Sequence, residues 1–311
     1  MTDLLVFGSS SLVGSHFVMT TRHRVMDMGQ IDPRAEKLPV VGFAPIDLTD
    51  AARVEEAVRR SNAEVVVNFA AATDVDAVER ERPRSPEGAQ GPAFLINAAA
   101  PEAMARATRE TGKFLVSLST DFVFDGVDGP YSEDAGPMSF SPKLSWYGWT
   151  KGEGERRVRA INPAAAVVRI AYPYRASHSG KLDFARKIVD GHRRRALPPY
   201  FSDQQITPTW VPDVSRALEF LIDGRKAGVF HVASPTVTSP YLFARELLLA
   251  IEHRPPELTE GSLKQFLARP GTTPRPIRGG LRCTRLPAAG LQLTDWRDGI
   301  RQFAAERGDA G

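Results

Sequence analysis

Short runs dense in Val, Leu, Ile and Phe recur along the first part of the chain, at Leu4–Phe7, Arg24–Asp27, Val65–Phe69, Phe114–Ser119 and Ala166–Ile170, and again at Val229–Val232. They lack the polar alternation of a strand with one wet face, so they predict strands buried on both faces. Amphipathic stretches between them predict helices near 12–20, 51–60, 101–111 and 151–161, the third with Pro101 as its first residue and Gly112 at its end. Strand and helix in alternation predict an α/β fold with a doubly wound parallel sheet and right-handed crossovers. After about residue 170 the pattern loosens. Pro198-Pro199, Pro208, Pro212, Pro255-Pro256 and the stretch Pro270–Pro276 punctuate short helices, one of them at roughly 213–223 and closed by Gly224. The expected organisation is a core over 1–170, rejoined by about 205–233, with a smaller C-terminal lobe of 171–204 and 234–311.

Composition narrows the class. Of 311 residues, 25% are charged and 42% hydrophobic, which excludes wholesale disorder. Mean hydropathy is -0.25, and no apolar run approaches the ~20 residues of a membrane span. Leu4–Phe7 is too short for the core of a signal peptide. The single cysteine, Cys283, excludes an intrachain disulfide and a thiolate metal cluster. These features predict a cytoplasmic protein with no membrane partner. A net charge of +3 predicts no nucleic-acid partner and suits an anionic small molecule. The six histidines are scattered without a metal-helix spacing, so no metal site is predicted.

Three segments carry chemistry. Gly8-Ser9-Ser10-Ser11-Leu12-Val13-Gly14 follows the first strand and opens the first helix. A glycine there lets the chain reverse, and free N–H groups at the helix start face a pyrophosphate, which makes the core a Rossmann-type dinucleotide fold. Ser11 stands where a middle glycine is usual; its side chain either narrows the approach to the phosphates or offers them its hydroxyl. Asp27, closing the second strand, is placed to hold the adenine ribose hydroxyls and repel a 2′-phosphate, which predicts NADH over NADPH. Arg22, Arg24 and Arg34 lie close enough in sequence to offset that repulsion.

The second segment is Tyr147-Gly148-Trp149-Thr150-Lys151, with phenol and ammonium one helical turn apart. At about 5 Å and an effective dielectric of 20, the ammonium is worth roughly 3 kcal/mol to the phenolate, or about two pK units, bringing the phenol toward working pH as a proton donor to a carbonyl oxygen. The third is Ser117–Gly126, at the edge of the sheet where ligands of open α/β folds bind. Two further segments read as solvated surface: Glu79–Gly91, with three Arg, two Pro and two Gly, and the run Arg193-Arg194-Arg195.

Together these segments resemble the extended short-chain dehydrogenase/reductase superfamily in its sugar-nucleotide branch, and within it the dTDP-4-dehydrorhamnose reductase family. Asn68–Glu79 is similar to that family's N-x-A-A-x-T-x-V-D-x-x-E. Ser119–Gly126 resembles S-T-D-Y-V-F-D-G with Phe122 for Tyr, Tyr147–Lys151 matches Y-G-x-T-K, and Asp203–Thr209 is similar to D-Q-x-x-x-P-T. Arg275-Pro276 followed by Leu281 resembles R-P-x-x-S-x-L without the serine. The resemblance implies reduction of the C4 ketone of a nucleotide-linked 4-keto-6-deoxyhexose by NADH or NADPH. It implies Tyr147 as proton donor, Lys151 tuning it and holding the nicotinamide ribose, and Thr120 orienting the ketone. Gly8, Ser10, Ser11, Leu12, Val13, Gly14, Asp27, Asp47, Leu48, Ala70, Ala71 and Ala72, with Tyr147 and Lys151, would line the cofactor. Thr73, Val75, Phe122, Tyr172 and Gln204 would face the sugar nucleotide, Tyr172 standing where Trp is frequent. Homodimers are common in the superfamily, which makes a homodimer one option for an oligomeric state the sequence leaves open; some relatives hold Mg2+ between subunits, but no magnesium site is readable in this sequence. Dehydratases of the same fold carry Thr-Asp-Glu where this chain has Thr120-Asp121-Phe122, and Phe122 supplies no acid for eliminating water. Two other readings are a 4-epimerase that keeps its NAD bound and a non-catalytic regulatory subunit resembling the methionine adenosyltransferase β-subunit.

Overall fold

The computed structural model describes residues 1–29, 37–83, 86 and 90–308. Seven parallel strands form its main sheet: β1 (Asp3–Phe7), β2 (Arg24–Gly29), β3 (Gly42–Pro45), β4 (Val65–Asn68), β5 (Phe114–Thr120), β6 (Ala166–Ile170) and, after an excursion of the chain, β8 (Gly228–Val232). Their order is β3-β2-β1-β4-β5-β6-β8. The order reverses direction at β1, which opens a crevice between the carboxyl ends of β1 and β4. β4 and β5 are buried along their whole length, their Val, Leu and Phe interrupted only by small polar residues and Asn68; each fully buried Val or Leu there contributes roughly 1.5–3 kcal/mol.

Two apolar layers sandwich the sheet. One packs Leu4, Val6, Val67 and Val116 under α1 (Leu12–Thr20) and α8 (Val211–Asp223), through Phe17, Val214 and Leu218. The other packs Leu5, Val66 and Leu115 under α2 (Ala51–Arg60) and α5 (Ala100–Thr111), through Val54, Val58 and Met104. Between β4 and α5 lie α3 (Val75–Glu79), α4 (Pro92–Phe94) and a π-helical turn at Leu95–Ala99. Pro101 therefore does not start a helix, as its sequence position suggested; it is the second residue of α5, and the helical rod begins upstream at Pro92. Lacking an N–H, Pro101 cannot bond the carbonyl of Asn97 four residues back. That carbonyl instead abuts α6 (Trp146–Ile161) at Gly154, where a Cβ would come within 2.2 Å of it. Gly112 ends α5 in the left-handed conformation, as expected.

Other expectations move too. α6 starts at Trp146 and not near 151, because the Ser145 hydroxyl accepts the Gly148 N–H (3.0 Å) and caps it. The edge strand β3, with sequence Gly-Phe-Ala-Pro, has no apolar run to announce it. The remaining elements are α7 (Phe184–Arg193), the two-residue pair β7 (Tyr200–Phe201) and β9 (Glu260–Gly261), α9 (Pro240–Glu252), α10 (Leu263–Leu267), α11 (Arg285–Ala288) and α12 (Trp296–Gly308). A third apolar core joins α7, α9 and α12 through Ile188, Phe243, Leu247, Trp296 and Phe303. No helix among the described residues is long and apolar enough to cross a membrane, and no group of three or more His, Cys, Asp or Glu that could hold a metal ion occurs among them.

Candidate active site

The phosphate loop is built as its spacing requires. Gly8 has φ +82, and a Cβ there would fall 2.8 Å from the Ala70 nitrogen; only glycine gives both the turn and the close approach. A Cβ on Gly14 would lie 2.4 Å from the Gly8 carbonyl oxygen. Ser11 has a further role, as the cap of the first helix. Its hydroxyl caps α1 by accepting the Gly14 N–H (3.1 Å), while its own N–H donates to Gly8 O (3.1 Å). The first-turn N–H groups of Leu12 and Val13 have no acceptor within the helix, and Ser10 stands beside them. Ala70, Ala71 and Ala72 line the loop after β4, where Asn68 Oδ1 accepts the Ala70 N–H (3.0 Å). This cradle suits a pyrophosphate.

Asp27 is not at the end of its strand. β2 runs on to Gly29, so Asp27 points inward, is only 1% exposed, and accepts the Ser9 N–H (3.2 Å). It supports the loop from below through this bond. Arg34 lies outside the described residues, as does part of the 79–91 segment. Asp47 follows β3 and accepts the N–H and hydroxyl of Thr49 (2.9 and 2.8 Å), which hold its carboxyl below the usual range. Leu48 is buried in the second core layer.

Thr120, Tyr147 and Lys151 come together at the carboxyl end of β5, all buried. The Thr120 hydroxyl donates to Asp121 Oδ1 (3.3 Å), and Lys151 Nζ donates to the Leu118 carbonyl (2.8 Å). The electrostatics differ from the sequence expectation. Burial pushes the phenol up to about 12, against a lowering contribution from Thr120, with Asp121 raising it further. Burial likewise brings the Lys151 ammonium down to about 8, opposed by Glu155. Desolvation of both groups outweighs the attraction that an exposed pair would gain.

Aromatic rings form the adjoining wall. Phe122 meets Tyr147 edge-on (centroids 5.8 Å) and lies 6.5 Å from Tyr172. Tyr172 has φ +44, and its hydroxyl accepts from Gln204 Nε2 (2.9 Å), which also donates to the Pro276 carbonyl (2.9 Å). Gly126 lets residue 276 approach: a Cβ there would lie 2.2 Å from Pro276 Cα. The motifs around 119, 172, 204 and 275 thus converge although they are far apart in sequence. Val75 packs partly buried beside Tyr147 and Phe122, and Thr73 is exposed at the start of the same segment. Across this mouth Asp74 pairs with Lys181 (3.3 Å) and Asp76 with Arg275 (2.8 Å).

Two residues of the site went unassigned in the sequence. Asn97 bonds both the N–H and carbonyl of Ala72 (2.9 and 3.1 Å) and the Thr150 hydroxyl (3.1 Å), tying the cofactor loop to α6; a polar side chain inside Leu-Ile-Asn-Ala-Ala was the available signal. Asp121 is buried, and desolvation lifts its carboxyl to about 7 against hydrogen bonds from Thr120 and the backbone of Gly280 and Phe122.

A parallel sheet with a glycine cradle at its first turn and a buried Thr–Tyr–Lys set at its carboxyl edge defines a dinucleotide-binding protein of the short-chain dehydrogenase/reductase type. More narrowly, the chain belongs to the RmlD substrate binding domain family, whose model matches residues 1–308. It is 32% identical over 307 residues to a dTDP-4-dehydrorhamnose reductase of Mycobacterium tuberculosis, covering 96% of this chain and 90% of that one. It is 31% identical over 271 residues to methionine adenosyltransferase 2 subunit beta of Xenopus tropicalis, covering 84% and 75%. Among solved structures, a dTDP-4-dehydrorhamnose reductase ortholog from Clostridium acetobutylicum superposes with TM-score 0.79 at 26% identity, over 98% of this chain and 99% of that one.

Proposed function

We propose that the protein reduces the C4 ketone of dTDP-4-dehydro-L-rhamnose, giving dTDP-L-rhamnose, with a reduced nicotinamide dinucleotide as hydride source. The observation that carries this reading is the buried set of Thr120, Tyr147 and, one turn on, Lys151, beside an aromatic wall with Phe122 in the position of a dehydratase acid. The cradle at Gly8–Gly14 fits the dinucleotide: the Cβ-free approaches at Gly8 and Gly14 and the open N–H groups of Leu12 and Val13 suit a pyrophosphate. When bound, the reduced nicotinamide supplies the hydride. Thr120 donates to the ketone oxygen and fixes its orientation. Tyr147, with its phenol at about 12 and hence protonated at neutral pH, gives its proton to that oxygen as it becomes an alkoxide. In this reading Lys151, one helical turn from Tyr147, holds the nicotinamide ribose and steadies the phenolate left behind. Phe122, Tyr172 and Gln204 form the face for the sugar. In this reading the 1–170 core carries the dinucleotide, and 171–204 with 234–311 covers the sugar nucleotide.

The Asp27 carboxylate accepts the Ser9 N–H at the base of the cradle, and the ratio of kcat/KM for the two coenzymes measures which of them the protein favours. The test follows NADH and NADPH oxidation with dTDP-4-dehydro-L-rhamnose generated in situ. Oxidation with both coenzymes, yielding dTDP-L-rhamnose, is the expected outcome. Cofactor binding without oxidation would move the assignment to another keto-sugar nucleotide, and recovery of a stoichiometric protein partner in that case would favour a regulatory subunit.

A further inference from the structure

A cavity of about 310 Å3 is lined by Ala176, His178, Leu182, Arg186, Val189, Asp190, Arg193 and Arg307 among others; through His178, whose Nδ1 is 3.4 Å from Ser15 Oγ, it adjoins the first turns of α1. It sits between α7, the 176–182 segment and the end of α12. On α7 it uses a different face from the aromatic wall of the site above: Phe184 packs against Tyr172 (5.3 Å), whereas residues 186, 189, 190 and 193 stand on another face. The volume is that of a small-molecule site.

Its charges do not cancel. Arg186 is spent on its surroundings: it pairs with Asp183 (2.6 Å) and donates to the carbonyls of His178 and Lys181 (2.6 and 2.7 Å). Asp190 is taken by Arg194 (3.0 Å), which turns that member of the Arg193–Arg195 run aside. His178 accepts from Arg175 Nη2 (2.8 Å) and is held neutral, with its imidazole down at about 4. Neither Arg193 nor Arg307 forms an ion pair among the described residues. Arg307 keeps one weak bond to the Ala176 carbonyl (3.3 Å) and stacks on Phe303. After burial, the like charges of Arg193 and Arg186 weigh against its charged form, with Asp183 in its favour. Of the remaining acids nearby, Glu306 has its carboxyl raised by burial and lowered by Arg175. Two guanidinium groups with mutual repulsion and no carboxylate partner therefore face one cavity whose other wall, Leu182, Val189 and Ala176, is apolar.

We propose that this cavity binds the phosphate end of a small phosphorylated metabolite, Arg193 and Arg307 holding the anion and Leu182 and Val189 covering the rest of the molecule. A phosphomonoester carries nearly two negative charges at neutral pH and matches two guanidinium forks better than a single carboxylate does. The site is independent of the reductase reading and stands or falls separately from the oxidation assay.

The experiment titrates the full chain calorimetrically with inorganic phosphate and with phenyl phosphate, in chloride buffer at fixed ionic strength. Phenyl phosphate is expected to bind more tightly than inorganic phosphate, because its ring gains the apolar wall. The Arg193→Gln/Arg307→Gln double variant should weaken it at least about tenfold, the scale of a lost charge-assisted contact, with Arg194→Gln unchanged. Should the double variant unfold, Arg193→Gln alone, at an exposed side chain, is expected to lose severalfold. No binding by the unaltered chain, or binding that survives these substitutions undiminished, would overturn the assignment; equal affinity for the two probes would remove the apolar wall from it.

Discussion

Tyr147→Phe is expected to lower turnover of the keto-sugar nucleotide by about 10²–10⁴-fold, the range for removing a positioned general acid, while leaving coenzyme affinity nearly unchanged. The substitution removes one oxygen from a side chain that is 8% exposed and leaves the ring that meets Phe122 edge-on, so no cavity opens. Single-turnover decay of the reduced coenzyme at 340 nm (the nicotinamide band), with a separate titration of coenzyme binding, divides the two effects. A variant that turns over near the normal rate would mean that the proton comes from elsewhere, and Asp121, the buried acid beside Thr120 with its carboxyl at about 7, would become the group to replace next.

The largest expected loss of stability is at Glu155. Arg169, fully buried on β6, is held by three contacts to this carboxylate (2.7, 3.0 and 3.1 Å) and donates to the Ala135 carbonyl (2.9 Å) and the His231 ring (3.2 Å). Glu155→Gln leaves the guanidinium without its counter-charge, which for a buried pair costs about 3–5 kcal/mol. Urea unfolding of the variant against the unaltered chain measures it. Replacing both partners, as Glu155→Gln with Arg169→Met, should recover most of the loss, since a pair removed together leaves no orphaned charge. A loss below about 1 kcal/mol in the single variant would place Arg169 in contact with water, contrary to its burial.

What the sequence disclosed follows physical lines. Strands buried on both faces advertise themselves by composition, so β1, β4, β5 and β6 were legible within a residue or so. β3 was not, because an edge strand of Gly, Phe, Ala and Pro is held by its neighbour's backbone and not by its own side chains. The acid nearest the expected spacing was Asp27, but spacing does not say which face a strand residue takes; alternation along β2 sends 25, 27 and 29 inward. The Tyr147–Lys151 offset gave a distance and no burial, so it predicted attraction where desolvation prevails. Motif strings located Thr120, Tyr172 and Gln204. They were silent on Asn97, whose work depends on a π-turn and a distant glycine that no local pattern connects.

The sheet's last strand has a bearing on how the chain is made. β6 is complete at residue 170, yet its parallel neighbour β8 begins only at Gly228, after the chain has traversed α7, β7 and α8. During synthesis from the amino terminus, six strands can associate while the outer edge of β6 waits for a segment not yet emerged. That edge carries unpaired backbone and the sequence Ala-Val-Val-Arg-Ile, the kind of exposed apolar strand that recruits foreign chains. His231, the β8 partner of Arg169, is missing over the same interval. Between residues 170 and 232, therefore, a nascent chain carries an apolar strand edge whose partner has yet to be made.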